Sequence, residues 1–349
     1  MHDFGGEALA SLSTEDVDFI KALPKAELHA HLNGCIPLEC LQELVNQHPE
    51  ITSGSDGAVA KGLKILEQGV VLNEINEFFD LFPAIYAITS TPDALKKATR
   101  ATIAQFLEPG SLGAGEPAQC TYLELRTTPR ESSFMSKREY LETVLDEVEK
   151  YDKDKCNLII SLDRRMSPGI MMENVKLAIS LREAGRRVVG VDLCGTPMAG
   201  KADDFLAAFE YARENGLKLT LHIAETKENT EEDTMTLLSA KPARLGHATF
   251  LHEESLSVVL NHKETMAVEI CLSSNLLCKT VETIAEHHIS WWLSNGLPIA
   301  ICTDDTLVFR NSLVEEYALL LAAPPLGLGL PRETVAQMAR MSLQVGFHQ

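Results

Sequence analysis

Of the eleven histidines in the 349-residue chain, four stand in patterns that suit metal chemistry. His29 and His31 are two apart in AELHAHL, so on a strand both rings leave the same face. His222 lies in LHIAE, three residues before Glu225, and His247 follows Leu245-Gly246 in ARLGHATF. The run LPIAICTDD supplies Asp304 and Asp305. Three imidazoles from among these and one of the two aspartates suit Zn²⁺ with one position left for water, whose pKa would fall towards about 7. The chemistry that follows is hydrolysis. The competing readings are plain ones: a lone buried histidine is commonly a hydrogen-bonded core residue, and an Asp-Asp pair is commonly a solvated turn or helix cap. The H-x-H pairing and the apolar run ahead of the aspartates weigh against both.

Glu225 cannot share a face with His222 on a regular strand, because three residues is an odd step, so it must lie where the strand breaks into a loop. From there it could face a substrate, and a covered, partly dry pocket would raise its pKa enough for it to donate a proton. The alternative is a solvated loop face, which describes most of the later acids in AETKENTEED. His247 is a candidate to orient the attacking hydroxide or shuttle its proton. Asp305 reaches water or substrate only if its strand is ending there. His252, in the following loop, is a fifth candidate histidine.

Eight short apolar runs that stop at polar residues would carry these groups: 26–32, 121–129, 157–165, 187–195, 217–225, 243–250, 266–274 and 297–305. Helix-compatible stretches such as KREYLETVLDEVEKYDK and ADDFLAAFEYARENG lie between most of them, and this alternation predicts a (β/α)₈ TIM barrel of the metal-dependent hydrolase type as a single domain over 1–349. The exception is 37–112, where PLECLQELVNQ, NEINEFFDLFPAIYAI and TPDALKKATRATIAQFL predict a helical insertion after the first strand. At that position it would form a lid over the C-terminal mouth, where barrel enzymes hold their sites. The Gly/Pro-rich segment 109–118 reads as a loop.

An apolar share of 45% and a charged share of 23% are ordinary for a folded domain, so the formal charge of −19 does not signal disorder. That charge argues against a nucleic-acid polymer or an anionic membrane as partner, since phosphates would be repelled. An anionic ligand would need a local basic pocket. The N-terminal residues lack the pattern of a secretory signal, no run approaches a membrane span, and the eight cysteines form no C-x-x-C pair, so buried reduced thiols and a cytoplasmic address are expected. Two motifs are set aside. GTPMAGKA (195–202) nearly fits a phosphate-binding loop, but Ala202 stands where a hydroxyl should hold Mg²⁺. His252-Glu253-Glu254 lacks the P-C-x-x-C that accompanies H-x-E in zinc nucleobase deaminases.

Six blocks, PKAELHAHLNG (24–34), VVGVDLCG (188–195), LHIAE (221–225), RLGHATFL (244–251), CLSSN (271–275) and CTDD (302–305), together resemble the adenosine deaminase superfamily of zinc hydrolases, in order and across nearly the whole chain. YLELRTTPR (122–130), LDRR (162–165) and Asn33 are similar to the adenosine deaminase-like branch, the N6-methyl-AMP deaminases. The resemblance implies one Zn²⁺ per chain on His29, His31, His222 and Asp304, with Glu225 protonating purine N1, His247 orienting the hydroxide and Asp305 binding the purine. It implies conversion of N6-methyl-AMP and water to IMP and methylamine. It also implies that Gly195 lets the main chain approach the purine, that Asp163 lines the nucleotide site, and that Arg130 meets the phosphate beside Thr127, Thr128 and Asn33. Pro129, His31 and Tyr86 complete the expected substrate-binding set, with Tyr86 where the branch tends to carry histidine. Without the resemblance, a surface ion pair with Glu131 or another acid is the simpler reading of Arg130. The expected partner is a small purine nucleotide and the expected state a monomer. The rival functions are an adenosine or adenine deaminase with no phosphate requirement, and a non-catalytic nucleoside-binding relative.

Overall fold

The computed structural model describes residues 2–47, 57–72 and 76–348. Its strands are β1 (Ala26–His31), β2 (Tyr122–Thr127), β3 (Cys156–Asp163), β4 (Val188–Cys194), β5 (Lys218–Ile223), β6 (Arg244–His247), β7 (Ala267–Ile270) and β8 (Ile299–Ile301). They form one eight-stranded sheet in sequence order, every neighbouring pair parallel. A parallel bridge between Ala30 and Asp304 carries β8 back towards β1, with Asp304 N–H donating to His29 O at 2.9 Å. This is the expected barrel. Its strands are buried along nearly their whole length, because helices cover the outer face and side chains fill the inner one.

The helices begin where short polar side chains cap them. Ser136 makes a reciprocal capping box with Glu139 ahead of Lys137–Val148, and Ser167 and Thr230 accept from the first turns of Pro168–Glu183 and Glu231–Ser239. β7 and β8 stop furthest short of the ends of their apolar runs. After β7 the buried Glu316 carboxylate accepts from the N–H groups of Leu272 and Ser273, at 2.8 and 3.2 Å, so the chain turns at once into the helix Leu272–Leu277. After β8 the chain leaves the strand before Asp304, whose φ is +65°. Both aspartates are therefore in loop.

Between β1 and β2 the described residues form the helices Leu38–Gln47, Ala58–Gln68, Asn76–Phe79, Phe82–Ile88 and Pro92–Leu107. Residues 48–56 and 73–75 of the expected insertion, with the start of NEINEFFDLFPAIYAI, lie outside the described residues. Ile36, Leu41, Leu44, Ile85 and Ile88 build a second apolar cluster with Leu307, Val308 and Phe309, just beyond the aspartates. The helix Pro92–Leu107 serves both bodies: Ala94 and Ala98 join that cluster, while Leu95, Ile103 and Phe106 enter the barrel core. Segment 109–118 is a loop, tied by Gly110 N–H to Glu116 O at 2.8 Å. All eight cysteines are buried and unbridged, and no helix among the described residues is long and apolar enough to cross a membrane.

Candidate active site

The H-x-H alternation sends His29 and His31 into the barrel, where they meet His222 from β5. The Nε2 atoms lie 3.0 Å apart for His29 and His222, and 3.3 Å for both pairs involving His31. Asp304 Oδ1 is 3.6 Å from the Nε2 of each of His29 and His31. Donors tetrahedrally disposed around zinc are separated by about 3.3 Å, given Zn–N distances near 2.0–2.1 Å. The donor set fits.

Buried carboxylates beneath the histidines strengthen that fit. Glu269 Oε2 accepts from His29 Nδ1 at 2.6 Å, and Asp192 Oδ1 from His222 Nδ1 at 3.1 Å, so both rings turn Nε2 towards the common centre. Arg126, fully buried on β2, joins the two carboxylates at 3.2 Å to Asp192 and 2.8 Å to Glu269. Arg244 holds the other Glu269 oxygen at 2.6 Å. Burial first, and then neighbouring positive charge, keeps His29 and His31 well below the usual histidine pKa. Burial also lowers His222, but the Asp192 carboxylate outweighs it and raises the ring to about 9. His29 and His31 are therefore held neutral, the state in which an imidazole nitrogen can ligate a metal ion.

Glu225 and His247 stand on backbone that leaves the strands sharply: Ala224 has φ +47° and His247 φ +60°. His247 Nε2 is 3.7 Å from Glu225 Oε1 and 3.8 Å from Asp304 Oδ2. Burial pushes Asp304 up, but His247, His31 and His222 hold it below the usual carboxylate range. Burial and the adjacent Asp304 charge push Asp305 well above it. Asp305 occupies the space that a side chain at residue 34 would need, since a β-carbon on Gly34 would sit 1.3 Å from Asp305 Oδ1. The glycine of HLNG is there for that aspartate.

One cavity of about 410 Å³ runs from this cluster to the loops after β2 and β3, lined by His31, Asn33, Tyr86, Thr127, Thr128, Arg130, Asp163, Gly195, His222, Glu225, His247, Asp304 and Asp305. His29 lies behind that wall, and Pro129 is buried without lining it. Thr127 Oγ1 is 2.8 Å from Tyr140 Oη, which donates to Asn33 Oδ1 at 3.1 Å. Gly195 has φ +95°, and a β-carbon there would come 2.7 Å from the Asp163 carboxylate, so its constraint is Asp163 directly. At the far end the Arg130 guanidinium lies over the Tyr86 ring, 3.1 Å from its centroid. Its Nε is buried without a hydrogen-bond partner, and among the described residues Arg130 makes no ion pair with Glu131 or another acid.

His252 does not join the centre: it is half exposed and pairs with Glu231 at 3.2 Å. Lys201, of the GTPMAGKA segment, is exposed. Sequence reasoning passed over Arg126, Asp192, Arg244 and Glu269. Their signal was available, as ionisable residues inside otherwise apolar strands. It also passed over Arg165, which lines the cavity and binds Asp163 through Nε at 2.9 Å and Nη2 at 2.6 Å.

The adenosine deaminase family model matches residues 24–349. An N6-methyl-AMP deaminase of Danio rerio is 34% identical over 348 residues, covering 96% of this chain and 94% of that protein. The crystal structure of the arabidopsis N6-mAMP deaminase superposes with a TM-score of 0.83 at 34% identity, covering 95% of this chain and 96% of that one. An arabidopsis relative complexed with IMP gives a TM-score of 0.80 at 32% identity, covering 95% and 94%. The chain belongs to the adenosine deaminase family, within its adenosine deaminase-like branch.

Proposed function

We propose that this protein is a zinc-dependent aminohydrolase that converts N6-methyl-AMP and water to IMP and methylamine. The observation that carries the nucleotide reading is Arg130, stacked on Tyr86 at one end of the cavity whose other end is the His/Asp cluster. In a protein of net charge −19, a guanidinium with no hydrogen-bond or ion-pair partner among the described residues awaits an anion from outside. The similarity to N6-methyl-AMP deaminases supports the same substrate.

His29, His31, His222 and Asp304 would hold one zinc ion. When bound, zinc supplies a nucleophile at neutral pH by lowering the pKa of water towards about 7. His247 orients the attacking water towards purine C6, from its position between Glu225 and Asp304. Glu225 delivers a proton to N1, which lets C6 become tetrahedral without charge building on the ring. Asp305 holds the purine edge. The proton of the C6 hydroxyl then passes to the departing nitrogen, the C6–N bond breaks, and methylamine leaves as the C6 carbonyl of IMP forms. Arg130 holds the phosphate, with Thr128 and Asn33 beside it and Tyr86 fixing the position of the guanidinium by stacking. Segment 37–112 acts as the lid, its apolar cluster seated on Leu307–Phe309 next to the two aspartates. The enzyme works as a cytoplasmic monomer on free nucleotide.

The test compares kcat/KM for N6-methyl-AMP, AMP, adenosine and N6-methyladenosine on the zinc-loaded chain. N6-methyl-AMP should be best. Faster turnover of either nucleoside would reject the phosphate role and favour a nucleoside deaminase.

A further inference from the structure

His247 ends β6 at φ +60°, and Ala248 follows at φ +47°. Both are residues with a β-carbon in the left-handed region, where it crowds the following carbonyl, and two in succession need an external hold. The turn itself supplies one bond, from Ala248 N–H to Gly246 O at 2.8 Å. The other comes from His288, whose Nε2 is 2.9 Å from the His247 carbonyl oxygen. A carbonyl only accepts, so this ring nitrogen carries the proton. Burial keeps His288 down to about 4, which leaves the ring neutral near pH 7.

His288 is itself braced. The His287 ring stacks against it with centroids 4.3 Å apart and planes 19° from parallel. His287 Nδ1 accepts from Ile289 N–H at 3.1 Å, so its Nε2 carries the proton and meets Asn275 Oδ1 at 3.1 Å. Asn275 Nδ2 reaches Thr249 Oγ1 at 3.4 Å, which returns the chain of contacts to the loop two residues beyond His247. Neither His287 nor His288 lines the cavity.

We propose that His288 is a positioning residue for the deamination: its bond to the His247 carbonyl, braced by His287, holds the left-handed turn that aims the His247 ring at the attacking water. The proposal rests on the reading of His247 given above. A displacement of about 1 Å at a reacting group is worth about a hundredfold in rate, so loss of this bond should appear in kcat while the distant phosphate contact leaves KM alone.

The experiment measures kcat, KM for N6-methyl-AMP and zinc content for His288→Ala, His288→Phe, His288→Gln and His247→Ala in the full chain. Phenylalanine keeps a ring to stack on His287 but cannot donate. Glutamine loses the ring but places an amide N–H near the position of imidazole Nε2. Expected is a fall in kcat of about tenfold or more for Ala and Phe, with KM and zinc content unchanged, and recovery of most of kcat by Gln. A Phe variant with wild-type kcat, a Gln variant as slow as Phe, or a loss confined to KM would each overturn the proposal while a slow His247→Ala leaves the His247 reading standing. Wild-type turnover in His247→Ala would overturn that reading and the proposal with it.

Discussion

The two ends of the cavity are built on opposite terms. At the metal end nearly every charged group has a buried protein partner: Glu269 holds His29, Asp192 holds His222, Ser274 donates to Asp304 at 2.8 Å, and Arg126 ties the two carboxylates together. At the other end Arg130 is supported by a ring alone, and its Nε has no hydrogen-bond partner. The difference follows from what each end must do. Groups that carry chemistry must be oriented before substrate arrives, because misplacement is costly in rate. A group that recognises an anion must keep its donors free, because a protein partner would have to be displaced at every binding event. On the proposed function, the guanidinium of Arg130 is left open to the anion while the groups around the histidines are fixed in advance.

The comparison breaks most visibly at Glu225. Glu225→Gln keeps the shape of the site but removes the proton donor, so kcat for N6-methyl-AMP should fall by about 10²–10⁴-fold. Zinc content and nucleotide affinity, read by metal analysis and calorimetry, should remain. Activity close to wild type would mean that the proton comes from elsewhere.

A smaller effect is expected beneath the metal. Asp192→Asn removes the charge that orients His222, and zinc affinity should drop by about 10–100-fold, measured by competition with a chromophoric chelator. With zinc in excess, KM should stay near wild type. If Asp192→Asn instead raised KM and left zinc affinity intact, the division between the two ends would be wrong.

The Arg130 end should respond in KM. A hydrogen bond to a charged group contributes about 1.5–3 kcal/mol, so Arg130→Ala should raise KM for N6-methyl-AMP by about 10–100-fold while zinc stays bound. Tyr86→Ala removes only the stacking support, about 0.5–2 kcal/mol, and should raise KM less than Arg130→Ala does. Steady-state kinetics on both variants, with N6-methyladenosine as the phosphate-free control, decides. Loss of zinc in either variant would contradict the separation of roles.

The strands and the meeting of His29 with His31 were legible because each depends on local pattern. β-Branched apolar runs must be buried on both faces in a parallel barrel, and an H-x-H pair on such a run leaves no choice of face. Glu225 was placed in a loop by an odd spacing, and the strand does end at Ile223. The carboxylates behind the histidines were harder to find. Asp192 sits in VGVDLC and Glu269 in AVEI, and an isolated acid in an apolar strand does not say which histidine it will meet. His252 carried the same residue type as His247 five positions away, yet a change from strand end to helix entry put it at the surface.

By itself the sequence determined the alternation of strands and helices, the shared face of His29 and His31, and the residue types of the metal set, because these follow from periodicity and side-chain chemistry within a few residues. Tertiary structure alone decided that Arg126 from β2 joins Asp192 on β4 to Glu269 on β7, that Asp305 fills the space beside Gly34, and that His288 reaches the backbone of His247. Those contacts join residues far apart in the chain. Their partners are set by closure of the sheet, and only a closed barrel brings the ends of eight strands to one point.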